Sequence, residues 1–182
     1  MSGKINVAGI IVAHLKTMRD HGRDKFSIID GTVFFVCPGF IASVIFVGCF
    51  PLSTSLVGSL INGAAILLGL LLNLLVLMFD QKNKASDAIS KLDIKVPDYE
   101  GRKGRLELRC VVINESVANI SFTILMCVIS LCTLLIFSAG DQFRVVGLWE
   151  RSVYAANSFI WSNVSLTILM IIKRVFALFS QE

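Results

Sequence analysis

The chain has 182 residues, of which 55% are hydrophobic and 16% charged, with a formal net charge of +4 and a mean hydropathy of +0.77. Soluble domains carry about 25% charged residues, and a single domain of this length has too little interior to hide so much apolar surface. The same composition excludes disorder and leaves an integral membrane protein.

Residues 4 to 25 read as an amphipathic helix. Val7, Ile11, Leu15 and Met18 recur at helical spacing, with Ile10 alongside, while Lys16, Arg19 and Arg23 point elsewhere. Such a helix either lies in the membrane interface or interlocks with its counterparts from neighbouring subunits. The apolar run Ile5 to Ala13 is too short for a signal peptide, and a charged stretch follows it. His14 and His21 are seven apart on a similar face. A pH sensor or a metal pair are the functional options, although no carboxylate stands at ligand spacing.

Four segments reach the ~20 apolar residues that a helix needs to cross a ~30 Å hydrocarbon core. They run from about Gly31 to Phe50, Ser55 to Phe79, Val112 to Ala139 and Ser152 to Ile172. Continuous runs such as LLGLLLNLLVLMF exclude a barrel, whose strands alternate in polarity. The expected fold is an all-α bundle of four transmembrane helices. It divides as 1–30 (N-terminal cytoplasmic helix), 31–79 (spans one and two), 80–111 (basic cytoplasmic stalk), 112–172 (spans three and four) and 173–182 (tail). Of the 17 Lys and Arg, all but Arg144 and Arg151 fall in the N-terminal stretch, the 80–111 segment or the tail. The positive-inside rule then makes both termini and the stalk cytoplasmic. A bacterial inner membrane is the expected home.

Within the stalk, Asp80 to Leu92 reads as a helical extension of the second span. The stretch VPDYEGRKG reads as a break, punctuated by Pro97, Gly101 and Gly104. Arg102, Lys103, Arg105 and Arg109 cluster near Tyr99. They suit either anionic lipid or a nucleotide phosphate, with Asp98, Glu100 and Glu107 diluting the charge. Neither a Walker motif nor GxGxxG is present, and no duplex nucleic acid is expected as a partner.

In the second span Gly58, Asn62, Ala65, Gly69 and Asn73 share one face. Small residues and amides make helix–helix seams, and a water-lined path is the alternative. The fourth span carries a second polar stripe, Ser158, Ser162 and Ser165, with Asn157, Asn163 and Thr167 beside it. Glu115 and Asn119 lie one turn apart at the cytoplasmic mouth of the third span. There Glu115 requires a partner, from Arg109 or from a neighbouring subunit. The cysteines Cys37, Cys49, Cys110, Cys127 and Cys132 lack metal-like spacing and read as packing residues. Nothing resembles an enzyme site, and no cofactor or metal is expected.

The amphipathic N-terminal helix, a span ending LLGLLLNLLVLMFD, the basic stalk and the return span ESVANISFTILMCVISLCTLLIF resemble the small membrane effectors of bacterial antiphage defence. The likeness is greatest to the four-span effector of Hailong systems, with the membrane protein of Kiwa systems second. Resemblance to Hailong implies an oligomeric ion channel, expected to be tetrameric. A DNA-like oligonucleotide from a partner nucleotidyltransferase keeps such a channel closed, and loss of that ligand depolarises the membrane. It maps the latch to Val7, Ile11, Leu15 and Met18. The candidate ligand groups are then Lys16, Arg19, Arg23, Arg102, Lys103, Arg105 and Arg109. Resemblance to Kiwa implies instead a non-channel sensor that recruits a soluble partner. A structural subunit of a larger membrane complex and, ranked last for lack of an ionisable midplane site, a transporter are the remaining readings.

Overall fold

The computed structural model describes residues 7–18, 31–48, 50, 53–93, 98–140 and 147–179. Among the described residues it is all-helical, without strands. The helices are α1 (Val7–Lys16), α2 (Cys37–Gly48, preceded by a π-helical turn at Thr32–Val36), α3 (Thr54–Ser90), α4 (Tyr99–Ala139) and α5 (Leu148–Phe179).

Three of these, α3, α4 and α5, are long and apolar enough to cross a membrane. Large apolar side chains cover their outer faces: Leu70, Val76, Ile136 and Leu169 are each more than 60% exposed. Soluble monomers rarely expose such continuous apolar surface, so the chain is a membrane protein with lipid as its solvent. The first predicted span is shorter, a five-residue π turn leading into a twelve-residue α-helix. At 1.5 Å per residue it reaches about 25 Å.

Pro38 explains the π turn. A proline inside a helix lacks an N–H, and its ring crowds the carbonyl four residues earlier, here that of Phe34. Widening the preceding turn relieves the clash. Pro38 itself is buried.

The bundle is held by heptad seams. On α3 the buried residues Val57, Ala64, Leu71, Met78 and Ala85 are each seven apart. On α4 the buried series Ile113, Ser116, Ile120, Thr123, Cys127, Ser130 and Leu134 alternates steps of three and four. On α5 Val153, Asn157, Ile160, Val164, Thr167 and Ile171 do the same. A 3.5-residue repeat keeps a seam facing its partner along left-handed, coiled-coil-like packing. Accordingly α3 packs along α4, α4 along α5, and α2 along α5. Val57, at the start of α3, meets Leu134 and Val153 at the far end of the bundle. At the other end Arg109 reaches Gln81, so α3 and α4 run antiparallel.

Both helices of this hairpin outrun a bilayer. With 37 and 41 residues they measure roughly 55 and 60 Å, about twice the hydrocarbon thickness. α3 starts at a serine cap, Leu56 N–H donating to Ser53 Oγ at 3.2 Å. α4 starts earlier than the sequence suggests and runs straight through Gly101 and Gly104. Asp98 precedes it in the left-handed region (φ 64°), and its side chain lies where a Cβ on residue 101 would stand. Gly101 therefore makes room for the carboxylate, which accepts from Arg105 Nη2 at 3.1 Å.

Seam and lipid-facing positions should differ sharply. Ile120→Ala, at 0% exposure, should cost ~2–5 kcal/mol, whereas Leu169→Ala, at 63% exposure, should change stability by less than about 0.5 kcal/mol. Unfolding titrations of both variants in mixed micelles measure the contrast; equal losses would contradict the seam assignment.

Candidate functional site

A dense group of polar contacts lies where α1 docks on α4. His14, at 2% exposure, stacks flat on Phe122 with ring centroids 3.8 Å apart. Phe34, from the π turn, meets the same imidazole edge-on at 6.2 Å. His14 Nδ1–H donates to Asn119 Oδ1 at 2.8 Å. The Thr17 hydroxyl lies 2.8 Å from that same oxygen and 2.8 Å from the His14 carbonyl oxygen. Arg174 of α5 closes the group: its Nη2 donates to the Thr17 carbonyl at 2.9 Å and stands 3.3 Å from Glu115 Oε2. Glu115 thus finds a partner on α5, which spacing along α4 gives no means of identifying.

The residues explain why α1 seats here. Phe122 offers an aromatic face, and Asn119 offers one carbonyl oxygen to two donors. The fit is incomplete, because Asn119 Nδ2 is buried with no hydrogen-bond partner. An unmet buried donor costs roughly 1–3 kcal/mol, so this docked state sits above what a fully paired one would reach. Burial pushes the His14 pKa below its usual 6.5. The nearby Arg174 charge pushes it the same way, and the bond to Asn119 opposes both.

The predicted latch residues divide around this contact. Met18 is buried at 2% and Leu15 is half-buried, whereas Val7 and Ile11 are exposed. Lys16 is exposed. Arg19, Arg23 and His21, with the remainder of the predicted 4–25 helix, lie outside the described residues. The stalk cations lie along the first turns of α4. Arg102 is exposed; Lys103 is 4.0 Å from Glu107 and 5.9 Å from the Tyr99 ring centroid. Arg105 pairs with Asp98, and Arg109 Nη2 donates to Gln81 Oε1 at 3.3 Å.

The two polar stripes inside the spans differ in placement. On α3, Gly58, Asn62, Ala65, Gly69 and Asn73 are all exposed on the outside of the single chain. On α5, Asn157, Asn163 and Thr167 are buried in the bundle. There Asn157 accepts from Ser130 Oγ at 2.7 Å and donates to the Val153 carbonyl at 3.0 Å. Ser158 and Ser162 are half-buried and Ser165 is exposed. The Ser165 hydroxyl donates to its own helix, at the Trp161 carbonyl. Among the described residues no cluster of three His, Cys, Asp or Glu is placed to hold a metal, and Cys37, Cys110, Cys127 and Cys132 are free thiols. No family model matches the chain, and no curated protein or solved structure does either.

The docked helix should respond to acid. Because the docked His14 has the lowered pKa, the undocked state binds the extra proton. Docking is therefore fully supported above about 6.5 and weakens as pH falls through that value toward the lowered one. Hydrogen exchange of residues 7–18, corrected for intrinsic rate, should show less protection at pH 5.5 than at 7.5. His14→Gln should abolish the difference; an unchanged pH response in that variant would refute the role of His14.

Proposed function

We propose that the chain is the subunit of a homo-oligomeric gated ion channel, an effector of bacterial antiviral defence in which α1 acts as the latch. The docking of α1 onto Asn119, Phe122 and Arg174 is the observation that carries this reading. A segment outside the long spans grips two of them, α4 and α5, through polar contacts that leave one amide donor unmet. Such a contact is strong enough to hold one state and weak enough to be exchanged for another. A ligand moves that equilibrium only if it favours one of the two states.

The outward stripe on α3 supports assembly. Asn62 and Asn73 each sit about 8–9 Å from the middle of their span by helical rise, well inside a ~30 Å core. An amide facing hydrocarbon without a partner costs ~4–8 kcal/mol. A neighbouring copy, in a tetramer or another closed ring, satisfies those amides directly or around a water-filled axis. Ser158, Ser162 and Ser165 offer a second such face.

In this reading the π turn and α2 form the first of four spans, and both termini and the α3–α4 extension are cytoplasmic. A nucleotide-type ligand from a partner nucleotidyltransferase holds the latch through Lys16, Arg19 and Arg23 with Arg102, Lys103, Arg105 and Arg109. Its loss opens the pore and depolarises the membrane. The setting comes from the resemblance to Hailong effectors.

Ion flux from proteoliposomes tests the latch. Deleting residues 1–25, or substituting Asn119→Leu or Thr17→Val, should raise flux at least about tenfold, the effect of 1.4 kcal/mol on a two-state gate. If the intact chain and all three variants are silent in folded, reconstituted form, the channel reading fails and a non-channel recruiter takes its place.

A further inference from the structure

The cytoplasmic ends of α3 and α4 enclose a cleft of about 330 Å³, lined by Gln81, Lys84, Ala85, Ala88, Leu106 and Arg109. Ligand sites begin at about this size. The sequence explains the opening: two alanines three apart on α3 leave volume that longer side chains would fill, and Leu106 supplies an apolar wall from α4. The rim is cationic. Arg109 is held across the cleft by its bond to Gln81 Oε1, which fixes where the guanidinium sits. Lys84 Nζ lies 2.7 Å from Asp80 Oδ2, and both side chains are more than half exposed. An exposed pair of this kind is worth little in water, so Lys84 readily trades that carboxylate for another anion such as a phosphodiester. With Asp80 counted, the side chains at the cleft comprise two cations and one carboxylate.

Depth identifies the anion. The apolar part of α3 ends at Phe79, and that of α4 begins at Val112. By helical rise, Gln81 and Lys84 lie about 3 and 7 Å beyond the first boundary, and Arg109 about 4–5 Å beyond the second. The headgroup layer occupies roughly the first 5–8 Å outside the hydrocarbon. All three polar side chains therefore stand at the level of the lipid phosphates. Basic pockets between membrane helices on the cytoplasmic side bind anionic headgroups, and a guanidinium fork matches phosphate oxygens.

We propose that the cleft between Gln81, Lys84 and Arg109 is a phosphate site that takes the headgroup of an anionic phospholipid. A soluble nucleotide carries the same phosphate chemistry, and the experiment separates the two sources. A lipid phosphate here removes Arg109 from the set offered to a nucleotide-type ligand and leaves the other basic residues to it; the site does not depend on gating, and the protein can hold a lipid there whether or not it conducts.

Native mass spectrometry of the intact purified chain, titrated with phosphatidylglycerol or phosphatidylcholine, reads the occupancy. Phosphatidylglycerol should be retained more tightly, and Lys84→Gln with Arg109→Gln should weaken it by about thirtyfold, two charges' worth. Ala88→Leu should weaken it comparably while leaving every charge in place; Ala88 is exposed, so the larger side chain displaces no packed neighbour. Lys91→Gln, at the C-cap of α3 and outside the cleft, removes one charge and should change retention little. Equal retention in the wild type, the double variant and Ala88→Leu would overturn the site. If phosphatidylglycerol shows no preference but a short oligonucleotide binds and is lost in the same variants, the phosphate site stands and the lipid assignment falls.

Discussion

Hydrocarbon supplies no hydrogen-bond partner, and the disposition of the asparagines follows from that. Asn157 spends its amide on Ser130 and the Val153 carbonyl, so it binds α4 to α5. Asn119 offers its carbonyl to His14 and Thr17, so it binds α1 to α4. Asn62 and Asn73 face outward from the single chain and carry the same requirement beyond its boundary. Each amide in the spans is a demand for a partner, met within a helix pair, by the docked α1, by a carbonyl of its own helix as at Asn163, or by whatever covers α3.

The polar α4 seam uses the same constraint for specificity. Ser116, Thr123 and Ser130 alternate with Ile113, Ile120, Cys127 and Leu134 along one buried edge. Ser116 and Thr123 bond back to carbonyls of their own helix, so they need no partner across the seam. Their small side chains instead allow close approach, which is how helices gain packing energy in lipid. A seam of this kind sets register through its shape and the few amides it contains, since apolar contacts to a neighbour and to lipid are nearly equivalent.

Hydropathy made the three long helices legible, because ~20 apolar residues in a row have few other uses. The heptads were harder to see. Every position on α3 between Ser55 and Phe79 is apolar, small or amide, so periodicity had little contrast until burial picked out every seventh residue. The apolar residues of α1 carry its sequence signal, yet two of them, Val7 and Ile11, are exposed. What seats the helix is His14 and Thr17, whose partners lie about a hundred residues away, beyond the reach of local pattern. The glycines at 101 and 104 misled in the opposite direction. Their propensity cost of about 1 kcal/mol each is small beside the packing of α4 against α3, so the helix passes through both. Glu115 was recognisable as a residue in need of a counter-charge, but Arg174 sits on another helix and no spacing rule connects them.

The π turn ahead of Pro38 has a geometric consequence for the end of the bundle where α1 docks. One added residue in a helical turn swings everything before it by about 100° relative to everything after. Phe34 can thus present its edge to the imidazole of α1 while the residues beyond the proline lie along α5. The π turn and the helix beyond it both lie along α5, and within the turn the ring of Phe34 also reaches α1. A chain that straightened this turn would keep its α5 contact but aim Phe34 away from the terminus it now braces.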